Sequence, residues 1–163
     1  EEYQIIIEKL KKVNSSIKFS SDFIIGYPGE DENDFKATLN LIKEVEFINS
    51  YSFIYSPRPG TLASKLKLID QNISMNRLEI IQKELFKHQI KMNELLENSI
   101  IDVLVENKTK DDTKYFGRSE YMTPAIFDGK DEDVGKIVKV KIKNSNQNSL
   151  FGEVLRKSKL RVA

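Results

Sequence analysis

The residues DFIIGYPGEDENDF, from Asp22 to Phe35, carry the clearest structural signals in the first half of this chain. The run from Phe19 to Ile25 is mostly apolar and rich in β-branched residues, which predicts a buried strand. The glycines and the proline that follow are typical turn residues and end the strand. The acids after them stand where the positive end of a helix dipole favours negative charge. The stretch therefore predicts a strand, a tight turn and a helix start.

The residues after this stretch extend it to a βαβ unit. Apolar side chains at spacings of three and four predict a helix from Asp31 to Glu46, and a second strand is predicted at Asn49–Ser56. Two strands joined by a helix of this length are expected to pair in parallel. A separate helix is predicted at residues 3–13.

The pattern changes twice in the second half of the chain. Apolar residues at helical spacing predict one long helix from Ser74 to about Asn98. After it come short alternating runs, punctuated by glycines at the intervals typical of short strands. Roughly five strands of this kind predict a small antiparallel β-barrel of OB-like size.

The first half is too small to form a complete fold. Two parallel strands need helices over both faces and further strands beside them, and a segment of roughly 70 residues buries little apolar surface. We therefore predict an α/β plus all-β chain that is either the C-terminal part of a longer protein or a truncated gene product. Its parts are the closing portion of an α/β barrel at 1–70, a connecting helix at 71–98 and a small β-barrel at 99–163.

Composition narrows the possible chemistry. The chain has no cysteine, which excludes disulfides and thiolate ligands for iron–sulfur clusters within these residues. No transmembrane helix and no signal peptide are expected, so a cytoplasmic location is predicted. The net charge is +1, yet residues 136–163 carry eight basic side chains and a single acid. Such a tail suggests a polyanionic partner, although a solvated lysine face explains it equally well.

Four ordered motifs carry a resemblance to a known family. They are SSDFIIGYPGEDENDFKATLNLI, then YSFIYSPRPGTLAS, then Gly117-Arg118-Ser119, and finally NSLFG at residues 148–152. Together they resemble the radical S-adenosylmethionine (SAM) methylthiotransferases, most closely those that make 2-methylthio-N-dimethylallyladenosine in tRNA. The resemblance covers essentially the whole chain, and it implies a partial SAM barrel followed by an RNA-binding TRAM barrel.

The resemblance also implies cofactors and partners. The family uses SAM and 4Fe-4S clusters to add a methylthio group to C2 of an isopentenylated adenosine next to the tRNA anticodon. This chain lacks the family's CxxxCxxC, so it is expected to be inactive without an N-terminal cluster-binding part, and it would bind the tRNA anticodon stem-loop. Two alternatives remain: a methylthiotransferase acting on an aspartate of a ribosomal protein, and a non-catalytic RNA-binding fragment.

Five residues are candidates for SAM binding by similarity to the family. Asp22, placed near the carboxyl end of its strand, would accept the ribose hydroxyls, and an arginine would grip the SAM carboxylate or a phosphate of RNA. Glycines allow an adenine ring to approach the backbone closely. Tyr55 and Ser56 would line the same pocket. Each candidate also has a purely structural interpretation: an acid that bonds a backbone amide, an ordinary strand-to-helix turn, and an exposed loop arginine. The five candidates, in the same order, are Asp22, then Gly26, Pro28 and Gly29, then Arg58.

Other side chains are candidates for RNA binding or for packing. Alternation along a strand places three lysines on one face, where they can hold phosphates, and aromatic rings nearby can stack on bases. Phe116 and Phe127 are instead assigned to the barrel core. Glu30 is interpreted as a helix-start acid and His88 as a packed interface residue. No catalytic residue and no metal ligand is predicted in this chain; the RNA-binding candidates are Arg118, Lys139, Lys141 and Lys143, with Tyr115 and Tyr121 nearby.

Overall fold

The computed structural model of the protein describes residues 2–110 and 112–156. These residues divide into two compact units, with the division between Gln89 and Ile90. The three-part division expected from the sequence stays a prediction. No helix among the described residues is long and apolar enough to cross a membrane. The elements in chain order are α1 (Glu2–Val13), β1 (Asp22–Ile25), α2 (Glu32–Val45), β2 (Tyr51–Ile54), α3 (Gln71–Leu95), β3 (Ile100–Lys108), β4 (Tyr115–Ser119), β5 (Pro124–Asp128), β6 (Ile137–Ser145) and β7 (Leu150–Val154).

The first unit contains the predicted βαβ arrangement. β1 and β2 pair in parallel, with Asp22 opposite Tyr51 and Ile25 opposite Ile54, so the expectation of parallel strands is confirmed. Both strands are shorter than predicted. The backbone of Asn49 has a φ of 46°, which interrupts an extended strand, and the N–H of Ser21 donates to the Ser50 hydroxyl at 3.0 Å instead of to a ladder carbonyl.

The acids after the turn do open a helix. The Asp31 carboxylate accepts hydrogen bonds from the N–H groups of Asn33 and Asp34, and the Asp34 carboxylate accepts from the N–H of Asp31. This reciprocal capping box satisfies N–H groups that have no partner within the helix. The helix ends at Val45, and Glu46 caps it in the left-handed conformation with a φ of 56°.

One face of the two-stranded sheet is buried and the other is exposed. Phe23 and Ile25 belong to a core that also contains Phe35, Ile42 and Phe47, and the Phe23 and Phe47 rings meet edge to face at 5.3 Å. On the opposite face the apolar side chains are more than half exposed: Ile24 58%, Tyr51 65% and Phe53 53%. An apolar sheet face of this kind is normally covered.

The long helix is shifted toward the N-terminus relative to the prediction. α3 begins at Gln71 because the Asp70 carboxylate accepts from the N–H of Asn72 at 2.9 Å and caps the first turn. It ends at Leu95, where i to i−3 bonds tighten the chain, and Asn98 takes a φ of 65°. The sequence predicted the helix correctly, but its two ends depend on these local bonds.

The second unit contains a closed five-stranded barrel with the order β3-β4-β5-β7-β6. The predicted barrel is therefore confirmed, but the prediction that it is antiparallel throughout is wrong, because β5 and β7 run parallel. A closed ring with an odd number of strands cannot alternate direction all the way round, so at least one pair must be parallel. The interior is filled by apolar side chains from all five strands: Ile101, Val103, Val105, Tyr115, Ala125, Phe127, Val140, Ile142 and Leu150.

Two hairpins of the barrel share one design. In β3–β4 the register shifts between Val105 and Asn107, with Gly117 opposite Val105. In β6–β7 the register shifts between Ile142 and Asn144, with Gly152 opposite Ile142. A Cβ atom added to either glycine would lie 2.3 Å from a backbone carbonyl oxygen of the neighbouring strand. Both glycines therefore allow two strands to approach closely at a β-bulge.

Candidate SAM and nucleic-acid sites

The turn after β1 places its two glycines in different surroundings. Both have positive φ angles, 72° at Gly26 and 96° at Gly29, a conformation that favours glycine. A Cβ on Gly26 would lie 2.4 Å from the hydroxyl oxygen of Ser74, so this glycine is needed for packing against α3. No atom lies within 4 Å of a Cβ on Gly29, which leaves its backbone open to a ligand. Pro28, between them, is buried.

A buried ion pair holds this turn in place. The Arg77 guanidinium donates to the Glu30 carboxylate at 2.7 Å and to the Glu30 carbonyl oxygen at 3.2 Å. The other carboxylate oxygen of Glu30 accepts from the N–H of Gly26 at 2.9 Å. The side chains of Arg77 and Glu30 are 9% and 12% exposed. The interpretation of Glu30 as a helix-start acid is therefore wrong, because Asp31 caps α2 and Glu30 ties the turn to α3.

Sequence reasoning missed Arg77, although a signal was available. Arg77 is the only arginine of α3, and it follows Ser74 and precedes Ile81 at spacings of three and four, on the side of the helix that is buried. A charged residue at a buried helical position needs a partner of opposite charge. Searching for that partner among the acids of the turn would have pointed to Glu30.

Asp22 is not where the sequence placed it. It is the first residue of β1 and not near the carboxyl end, because residues 19–21 do not join the ladder. With a rise of about 3.3 Å per residue, it lies roughly 13 Å from Gly26 along the strand. Its side chain is exposed on the same face as Ile24 and Tyr51. A ligand that contacts both Asp22 and the turn must lie along this face.

Two polar groups beyond the end of β2 lack partners within the described residues. The Tyr55 hydroxyl is buried and has no hydrogen-bond partner, and its ring meets Tyr27 at 5.1 Å. Arg58 is exposed, and its guanidinium makes no ion pair with any described side chain. Ser56 is also exposed. The Gly29 backbone and the Arg58 side chain are thus exposed, whereas the Tyr55 hydroxyl lies below the surface.

No metal-binding cluster is present within residues 2–110 and 112–156, where no group of three His, Asp or Glu side chains could hold an ion. His88 is buried, as its position on the apolar stripe predicted, with its Nε2 3.3 Å from Glu84 Oε1. The Nδ1 atom of His88 has no partner among the described residues. With only the Glu84 carboxylate beside it, His88 falls short of the three or four ligands that a zinc site has.

The lysines of β6 do lie on one face of the barrel, but most are paired. Lys139, Lys141 and Lys143 are exposed and alternate with buried Val140 and Ile142. Lys139 donates to Asp102 at 2.9 Å, and Lys143 donates to Glu153 at 2.7 Å. Lys141 has no carboxylate partner among the described residues. The face is therefore closer to neutral than the sequence suggested.

The fourth RNA-binding candidate, Arg118, is also ion-paired. Arg118 donates to Glu106 at 3.0 Å and lies 5.8 Å from the centre of the Phe116 ring. Lys157, Lys159 and Arg161, which contributed to the basic tail in the sequence, lie outside the described residues. The described residues therefore include only some of the basic side chains that give residues 136–163 their positive charge.

The aromatic residues of the barrel also differ from the expectation. Phe127 is fully buried, as predicted, but the assignment of Phe116 to the core is wrong. Side chains alternate along β4, and because Tyr115 and Gly117 point inward, Phe116 points outward and is partly exposed. Tyr115 takes the core position instead, and Tyr121 is partly exposed.

Two aspartates between β5 and β6 are held ionised. The Asp131 carboxylate contacts the Lys108 ammonium at 2.8 Å and the Tyr115 hydroxyl at 2.9 Å, and these hydrogen bonds lower its pKa. Burial opposes ionisation of Asp133, but hydrogen bonds from Arg156 at 2.7 Å and from the backbone of Lys130 still lower the pKa of this carboxyl. Both acids therefore serve as ties within the barrel rather than as proton donors.

Comparison with known proteins identifies similar sequences for the barrel and for the whole chain. Residues 94–155 match the TRAM domain family and include the whole barrel. The chain is 63% identical over all of its 163 residues to a tRNA-2-methylthio-N(6)-dimethylallyladenosine synthase of Pelagibacter ubique strain HTCC1062, and it covers 36% of that relative. Synthases of the same name from Ruthia magnifica and from Orientia tsutsugamushi strain Ikeda are 43% and 42% identical over 94% of the chain, which covers 35% of each. The chain thus spans about a third of the length of these relatives, and the resemblance found in the sequence is confirmed.

Proposed function

We propose that this chain is part of a radical-SAM methylthiotransferase that adds a methylthio group to C2 of an isopentenylated adenosine next to the tRNA anticodon. The observation that carries the proposal is the 63% identity across all 163 residues to a synthase named for that product. The match to the TRAM family over the closed barrel supports an RNA substrate. A cytoplasmic location is part of the same proposal.

Within this proposal, residues 1–70 are the closing strands of the SAM barrel. The parallel βαβ unit supports this assignment, as does the apolar face of Ile24, Tyr51 and Phe53, which is exposed in this chain. The interior of an α/β barrel is packed with side chains of this kind. The part of the enzyme that carries the 4Fe-4S ligands would supply the strands that cover this face, since the present chain has no cysteine.

The groups that would hold SAM lie on and beyond this face. The open backbone at Gly29 would lie against a flat ring, Arg58 would bind the carboxylate, and Tyr55 and Ser56 would line the same pocket. Asp22 would accept from the ribose hydroxyls. Bound SAM supplies the radical chemistry and the methyl group of this family. The role of the present residues is to bind and orient it.

Replacing Asp22 by alanine in the complete enzyme is expected to weaken SAM binding about tenfold, because a hydrogen bond to a carboxylate contributes about 1.5 kcal/mol or more. Equilibrium dialysis with labelled SAM measures the affinity. The fold should be unaffected, since the side chain is exposed. Glu79→Ala, at an exposed position on α3, is the matched control. An unchanged SAM affinity would remove Asp22 from the site.

Reversing the charge of Lys139, Lys141 and Lys143 to glutamate is expected to weaken tRNA binding at least tenfold and to flatten its salt dependence, because phosphate contacts release counterions. Fluorescence anisotropy with an anticodon stem-loop, at several salt concentrations, measures both quantities. SAM cleavage by the complete enzyme carrying the same changes should be retained. Equal affinity for the stem-loop would refute this face as the RNA-binding surface.

Two other functions are tested by the same measurements. A methylthiotransferase that acts on a ribosomal-protein aspartate would require this barrel to bind protein, and the ion-paired face is compatible with that. A non-catalytic RNA-binding fragment would bind the stem-loop without any SAM-dependent partner. Mass spectrometry of tRNA nucleosides after incubation with the complete enzyme distinguishes these cases, because only the proposed function yields the methylthiolated adenosine.

A further inference from the structure

The register shifts in the β3–β4 and β6–β7 hairpins place an asparagine opposite a phenylalanine in each hairpin. Asn107 lies opposite Phe116 in one hairpin, and Asn144 lies opposite Phe151 in the other. β5 runs between these two hairpins, with Ile126 opposite both Phe116 and Phe151. The register therefore produces one continuous row of five residues across all five strands: Asn107, Phe116, Ile126, Phe151 and Asn144.

The three apolar members of this row point away from the barrel interior. On each strand the neighbouring residue is in the core: Gly117 beside Phe116, Phe127 beside Ile126 and Leu150 beside Phe151. Phe116, Ile126 and Phe151 are each partly exposed. Two phenylalanines and an isoleucine on the outside of a small barrel are not required by its core, which is complete without them.

Polar and cationic groups surround this row. The Arg118 guanidinium lies beside the Phe116 ring at 5.8 Å. Lys143 adjoins Asn144 in the chain, and Lys141 lies opposite Glu153 on the neighbouring strand. The Asn144 side chain is exposed and makes no hydrogen bond to the described residues. The row ends in the side-chain amides of Asn107 and Asn144, which can both donate and accept, and Arg118 and Lys143 lie beside the row, each in an ion pair with an acid of the barrel.

We propose that this row, which we call the aromatic row, binds unpaired nucleobases of RNA, with Phe116 and Phe151 as two stacking platforms. Aromatic side chains and guanidinium planes stack on splayed bases, an amide reads base edges, and flanking cations hold the phosphates. A duplex stem offers no exposed base faces, so the row would select single-stranded nucleotides such as those of a loop. This inference rests on the proposed tRNA substrate and names the part of the RNA that the barrel contacts.

The test is the binding of the 163-residue chain to three labelled RNAs: an anticodon stem-loop, its stem as a continuous duplex and an unstructured strand of the loop sequence. Phe116→Leu and Phe151→Leu are each expected to weaken binding to the stem-loop and to the strand roughly tenfold, because leucine offers no ring for stacking. Phe116→Tyr and Phe151→Tyr should restore the affinity. The salt dependence should stay unchanged in all four variants, since no phosphate contact is lost.

Controls separate stacking from folding. Ile137→Ala removes an exposed apolar side chain from the same barrel, outside the aromatic row, and should leave binding unchanged. Amide hydrogen exchange of β3 and β6 in each leucine variant should equal that of the parent chain, since Phe116 and Phe151 lie outside the core.

The outcomes distinguish this inference from the proposed function. Stem-loop binding that is unaffected by both leucine changes, or binding to the duplex as tight as to the stem-loop, overturns the aromatic row and leaves the tRNA proposal intact. Phenylalanine-dependent binding to the strand with no binding to the stem-loop supports the row and contradicts the tRNA proposal. Absence of binding to every RNA overturns both.

Discussion

Replacing Gly152 by alanine is expected to unfold the barrel or to destabilise it by roughly 3 kcal/mol. The added Cβ would lie 2.3 Å from the Lys141 carbonyl oxygen and 2.9 Å from a methyl carbon of Val140. A backbone oxygen cannot move aside as the end of a flexible side chain can, so β6 and β7 would have to separate. Gly117→Ala, which faces the Leu104 carbonyl oxygen at 2.3 Å, should behave in the same way.

Amide hydrogen exchange of the paired strands β3 and β6 measures this loss for the barrel alone, because the chain has two compact units and its global unfolding need not be two-state. Gly135→Ala is the matched control. Gly135 has a φ of 80° but open space around a Cβ, so its replacement should cost only about 1 kcal/mol from backbone strain. An equal effect at all three glycines would contradict the close approach of strands as the cause.

Replacing Arg77 by methionine is expected to destabilise the turn after β1 by about 3 kcal/mol, because it leaves the Glu30 carboxylate buried without its counter-charge. The Glu30 side chain is only 12% exposed and also accepts from the N–H of Gly26. The turn would therefore loosen where the open Gly29 backbone is presented. Hydrogen exchange at residues 26–30 in the 163-residue chain measures the change directly, without any ligand.

Two variants test the cause of that loss. Glu32→Gln removes the outer contact of Arg77, which spans 3.4 Å to a carboxylate side chain that is 61% exposed, and it should change stability by less than about 0.5 kcal/mol. The double variant Arg77→Met with Glu30→Gln should recover part of the loss, because no charge is then buried alone. If the single and double variants exchange equally fast, the ion pair is not what holds the turn.

The sequence predicted correctly those features that depend on interactions between residues close together in the chain. The acids at residues 31 and 34 form the capping box of α2, and the glycines at 26 and 29 take the left-handed conformations that a turn demands. Parallel pairing of β1 and β2 followed from the length of the segment between them. The number of strands in the barrel followed from alternation and from the spacing of glycines.

The ends of the strands and helices and the partners of charged side chains were harder to predict from the sequence. Asp22 opens its strand because the N–H of Ser21, just before it, donates to the Ser50 hydroxyl instead of to a ladder carbonyl. The lysines of β6 face outward as predicted, but the Asp102 and Glu153 carboxylates that pair with two of them come from other strands. A basic segment in the sequence does not always form a basic surface, because strand order determines which acidic side chains lie beside its lysines.

Capping, turn chemistry and periodicity act over a few residues, so they predict the elements and the two kinds of fold, and the ordered motifs predict the family. Which side chains meet depends instead on the tertiary structure. It paired Glu30 with Arg77 across 47 positions of the chain, and it aligned Phe116, Ile126 and Phe151 across three strands. The register of a closed barrel assigns such neighbours through long-range strand pairing, and no local pattern of residues encodes that register.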